Sequence, residues 1–106
     1  MLILFDNGVP APLRRFLKDH IVVEAIERGW DRLLNGELIA AAEAAGFEIL
    51  LTTDKNMRYQ QNLSQRRIAI VVLSVANWPR IRQHTHVIAG ALSGVTAGAF
   101  IEVAIP

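Results

Sequence analysis

The chain alternates between short apolar runs and amphipathic stretches. Leu2-Ile3-Leu4-Phe5, Ile49-Leu50-Leu51 and Ile68 to Leu73 carry no charge. Runs of this length and character are read as strands buried on both faces, as in a parallel sheet covered by helices. Two further strands are expected, over Ile21–Ile26 and Ala99–Ile105. Each holds one glutamate, Glu24 or Glu102, which suits a sheet edge, and Phe100 and Glu102 share one face of the last strand. Between the first two strands, Asn7-Gly8 reads as a turn, and Pro10 and Pro12 suit the first turn of a helix. That helix would present Leu13, Phe16, Leu17 and His20 on one face and Arg14, Arg15 and Lys18 on the other.

A loop with Arg28, Trp30 and Arg32 then leads to Asn35, read as the N-cap of a helix over Gly36–Ala45. This helix would bury Leu38, Ile39, Ala42 and Ala45, and Gly46 would stop it. A polar helix capped by Thr53 or Asp54 is expected to run to about Gln65. Asn77-Trp78-Pro79 opens one long helix with Trp78, Ile81, Thr85, Ile88 and Leu92 on one face, ended by Ser93-Gly94. The βαβαβαβαβ succession predicts one α/β domain over residues 1–106, with three α/β/α layers and a largely parallel five-stranded sheet. Placing the uncharged strands in the centre gives the order 2-1-3-4-5. That order puts a topological switch point between the first and third strands, where ligands enter at the carboxyl ends.

Asp6 and Asp54 follow those two strands directly, so both carboxylates are delivered to that crevice. Glu37, in the first turn of the following helix, leans toward the same end. Asn7, Asn35 and Asn56 flank the three acids and could orient a metal-bound water. Each of these residues also has a purely structural use: turn former, N-cap or macrodipole partner. Two or three carboxylates favour Mg²⁺ or Mn²⁺, which prefer oxygen ligands. Arg14, Lys55 and Arg58 are the basic residues near the crevice and could bind backbone phosphates.

The totals narrow the classes. With 106 residues, 52% hydrophobic and 20% charged, a disordered chain is excluded. The net charge of +1 rules out bulk polycation binding, so any nucleic-acid contact rests on local patches. There is no cysteine, which removes disulfides, thiolate zinc sites and cysteine nucleophiles. His84 and His86 stand two apart and are not a helical ligand pair. The first residues are too short an apolar run for a signal peptide, and no stretch approaches a membrane span, so a soluble cytoplasmic protein is expected.

LILFDNGVPAPLRRFL, NGELIAAAEAAGF and ILLTTDKN together resemble the small PIN-like domain proteins, short relatives of VapC-type toxin nucleases. The resemblance covers about residues 1–75. Its signature is a strand ending in Asp, an acidic helix start and a strand ending in Thr-x-Asp. It implies a metal-dependent ribonuclease with a Mg²⁺ or Mn²⁺ cluster in which Asp6 is the first acid and Asp54 the acid after the third strand. It also implies RNA as substrate, an antitoxin-like protein as partner and a homodimer. Asn35 and Asn56 stand where the pattern usually has Asp, and Glu37 is a candidate replacement for the helix acid. Two functions follow: a ribonuclease, or a non-catalytic module that binds RNA or a protein. A receiver-like phosphoacceptor fits poorly, because the first strand is followed by Asp6-Asn7 rather than paired acids and the fifth by no lysine.

Overall fold

The computed structural model describes residues 1–57 and 66–106. Among them lies a five-stranded sheet in the order β2-β1-β3-β4-β5, every neighbouring pair parallel. The strands are β1 (Leu2–Phe5), β2 (Ile21–Glu24), β3 (Ile49–Thr52), β4 (Ala69–Leu73) and β5 (Phe100–Val103). The uncharged strands occupy the centre. Every residue of β3 and β4 is buried, because helices cover both faces.

Strand alternation divides the core in two. Ile3, Phe5, Ile49, Leu51, Val71 and Leu73 point to one face, where they meet Leu13, Leu17, Ile81, Ile88 and Leu92. Leu4, Leu50, Ile70 and Val72 point to the other, against Leu38, Ile39, Ala42, Phe47 and Met57. The second face is closed by α1 (Asn35–Ala44). The first is closed by a 3-10 helix (Ala11–Phe16), α2 (Trp78–Arg82) and α3 (Thr85–Ser93).

Gly46 ends the α1 segment as expected, at φ +87°. Its N–H reaches the Glu43 carbonyl at 3.1 Å, and the Phe47 N–H reaches that of Ala42 at 3.0 Å, so two orphan carbonyls are satisfied. This is the Schellman pattern, which needs a left-handed residue at the position Gly46 fills.

Several details depart from the pattern-based expectation. The segment after Pro10 is a 3-10 helix, and its Phe16 is 47% exposed rather than part of the buried face. β2 stops at Glu24, and Ala25–Arg28 turns into a second 3-10 helix. Ala45 is exposed because it is already the C-cap. The long helix is two: α2 closes with i→i−3 bonds from Gln83 to Arg80 and from His84 to Ile81, and α3 restarts at Thr85. Asn77 does cap α2, its Oδ1 accepting the Arg80 N–H at 3.2 Å. The helix expected toward Gln65 falls largely outside the described residues.

Candidate functional site at the switch point

The register of β1 and β3 sets the site. Leu4 lies opposite Leu50 and Phe5 opposite Leu51. The Asp6 N–H extends this ladder to the Leu51 carbonyl at 2.9 Å, which brings Asp6 opposite Thr52. By alternation both side chains turn to the face covered by α1. Thr52 is fully buried, and it is the buried polar residue among the described core. Its hydroxyl donates to Asp6 Oδ2 at 2.8 Å and accepts the Asp54 N–H at 3.1 Å. One side chain therefore ties the two expected acids together at the crevice.

The remaining carboxylate oxygens also have donors. Asp6 Oδ1 accepts the Asn7 N–H at 2.8 Å. Asp54 Oδ1 accepts the Asn56 N–H at 2.9 Å, and Asp54 Oδ2 accepts Asn35 Nδ2 at 2.6 Å. Asn35 is thus not the N-cap of α1. It is the first helical residue, the N-cap is Leu34, and the Asn35 amide reaches sideways across the crevice to Asp54. A carboxylate at position 35 would bring a second charge here; the amide brings a donor. Asn56 contributes through its backbone, and Asn7 sends its Nδ2 to the Asp31 carbonyl at 2.6 Å, steadying the loop beyond β2.

Glu37 is used locally. Its Oε1 accepts the Leu34 N–H at 3.2 Å, the reciprocal half of a capping box. Leucine has no acceptor, so the other half is not made. Among the described residues no three acidic or histidine side chains converge to hold a metal ion. The expected three-acid cluster is therefore not assembled. What Thr52 joins is the Asp6 carboxylate and the Asp54 backbone N–H, which leaves two carboxylates at this end of the sheet. Each of their oxygens has a second lone pair beyond the bond it accepts. Magnesium is commonly held by one or two carboxylates with several waters. The donor set thus fits a single hydrated ion and does not fit a multi-acid cluster.

The basic rim also differs. Arg14 is drawn to β2 and the loop after it, pairing with Glu24 at 3.6 Å and more closely with Glu27. That bond holds the Glu27 carboxyl below its usual range. Lys55 and Asn56 line a cavity of about 540 Å³ that reaches Ser74 and Glu102 at the carboxyl ends of β4 and β5. Arg58 lies outside the described residues. On the other side of Asp6, a cleft of about 380 Å³ is lined by Asp6, Glu24 and Asp31. Glu24 and Asp31 escaped the sequence reading. The signal for Glu24 was available: it ends its strand directly opposite Phe5, beside Asp6. Thr52 was also missed as a participant, although the Thr-x-Asp spacing contains it.

Gly8 is fixed by proximity. A side-chain carbon there would run into the Thr53 hydroxyl, so any other residue in the turn after Asp6 would force the Thr53 side chain to move.

Among known proteins, no family model, curated sequence or solved structure matches this chain. No helix among the described residues is long and apolar enough to cross a membrane.

Proposed function

We propose that this chain is a PIN-like domain that cleaves single-stranded RNA slowly with Mg²⁺ or Mn²⁺. The observation that carries the reading is the joint suspension of Asp6 and Asp54 from buried Thr52 at the switch point. In this reading Asp6 and Asp54 hold one divalent ion, which when bound supplies an activated water and polarises the scissile phosphate. Thr52 holds the Asp6 carboxylate and the Asp54 backbone, so both residues keep their place at the strand ends. Asn35 orients the Asp54 carboxylate. Because Asn35 is neutral and Glu37 is occupied at its own helix start, the site carries less charge than a three-acid cluster, and weak ion affinity follows. Lys55, next to Asp54 in the chain, would supply the cation that meets a phosphate at this end of the sheet. A toxin paired with an antitoxin-like protein is the setting that fits this activity, and a small antitoxin-like reading frame beside the gene would support it.

A second reading has its own support. All four carboxylate oxygens of the pair accept hydrogen bonds without any ion, so the crevice is self-satisfied. This favours a non-catalytic module that binds RNA or a protein. An RNA cleavage assay over a Mn²⁺ titration separates the two, with Asp6→Asn and Asp54→Asn beside the wild type. Metal-dependent cleavage by the wild type, reduced to background in both variants, is the expected result. Equal cleavage by all three would mark a contaminant and end the nuclease reading. No cleavage, with RNA or partner binding retained, would establish the second.

A further inference from the structure

The face of the sheet opposite the crevice carries an aromatic pair, one ring of which faces outward. Phe16 is nearly half exposed, and its ring centroid lies 5.9 Å from that of Trp78 at a 49° tilt. Trp78 packs inward against the cluster that contains Ile81 and Ile88, which leaves Phe16 as the outward step. Cations border the pair on both sides. Arg15 and Lys18 share a surface hollow with Phe16, and Arg82 shares another with Trp78. Asp19 is the acid in the first hollow; the second has none. The ion pairs among the described residues engage Arg14 and Arg66, not Arg15, Lys18 or Arg82.

We propose that Phe16 and Trp78, with Arg15, Lys18 and Arg82 around them, form a platform for single-stranded nucleic acid, separate from the Asp6–Asp54 crevice. An exposed ring offers a face on which any base can stack, and cations set along a strip meet successive phosphates. The core of a protein–protein contact is enriched in aromatic residues and Arg but depleted in Lys. Here Lys18 stands with Arg15 and Arg82 beside the rings, so a repeating polyanion with stackable bases matches better than an apolar partner. The platform requires neither a metal nor hydrolysis, so it goes beyond the nuclease reading and stands or falls apart from it.

Fluorescence anisotropy of a short labelled oligouridylate, in EDTA and low salt, tests it. Wild type should bind with a log–log salt slope of about −2, from about three phosphate contacts on a single strand. Phe16→Ala should weaken binding about tenfold, and Phe16→Trp should retain it. Lys18→Glu and Arg82→Glu should each weaken binding and flatten the slope; both positions are exposed, so these variants fold even if the Phe16 variant did not. The platform is refuted if wild type does not bind, or if Phe16→Ala and both charge reversals bind normally. Equal competition by polyglutamate would also overturn it, by pointing to an acidic protein.

Discussion

Replacing Thr52 by valine is the sharpest test of how the crevice is held. Valine has almost the same shape, and its neighbours on β3 are buried and apolar. If position 52 were plain core, valine would be neutral or stabilising. The hydroxyl, however, donates to Asp6 Oδ2 at 2.8 Å and accepts the Asp54 N–H at 3.1 Å. A hydrogen bond to a charged group contributes about 1.5–3 kcal/mol, and an orphaned donor costs about 1–3 kcal/mol. Asp6 and Asp54 are half-buried, so water recovers part of both terms. The expected loss is about 2–4 kcal/mol, or about 10–20 °C in Tm for a domain of this size. Thr52→Ser keeps the hydroxyl and loses one buried methyl, a cost of about 1 kcal/mol. Thermal and urea unfolding should therefore rank wild type above serine and serine above valine. The reverse order, with valine at or above serine, would refute the account of Thr52 as the tie between the two acids.

Other perturbations follow from the same geometry. Asn35→Asp exchanges the 2.6 Å donor to Asp54 for a like charge, so the protein should lose about 2 kcal/mol in EDTA and regain stability with Mn²⁺. A melting temperature indifferent to Mn²⁺ in that variant would remove the metal-site interpretation of the pair. Leu34→Ser should stabilise by about 1 kcal/mol, because it supplies the missing acceptor opposite Glu37 and replaces a 74% exposed leucine; equilibrium denaturation reads this directly. Glu43 accepts the N–H groups of Arg67 and Ile68, which hold its carboxyl below the ordinary 4.5. A depressed folded value means stability that is present above the unfolded pKa and lost as pH falls through the folded one. The stability deficit of Glu43→Gln should accordingly be largest near neutrality and close at acidic pH, as measured by unfolding across a pH series.

Much of the architecture was legible in the residues because it rests on local rules. Three to six uncharged apolar residues in a row are best satisfied by burial on both faces, which pointed to β1, β3 and β4 as the central strands and to the 2-1-3-4-5 order. Gly46 announced the end of α1 because only a left-handed residue closes that turn without strain. Delivery of Asp6 and Asp54 to one crevice followed from strand direction and order alone. What the side chains do there depended on contacts between segments far apart in sequence. Thr52 reads as an ordinary β-former until the β1–β3 register sets it beside Asp6. Asn35 reads as a cap until the seating of α1 over the sheet brings its amide to Asp54, leaving Leu34 to begin the helix. Glu37 and Arg14 carried charges suited to the crevice, but nearer partners claimed them: a backbone N–H one helical turn away, and the carboxylates of Glu24 and Glu27. The sequence by itself determined which strands lie in the middle and where their acids emerge, since burial and chain direction are properties of short segments. Only the tertiary structure decided which polar groups pair, because hydrogen bonds form within about 3 Å, a distance that packing sets and spacing along the chain does not.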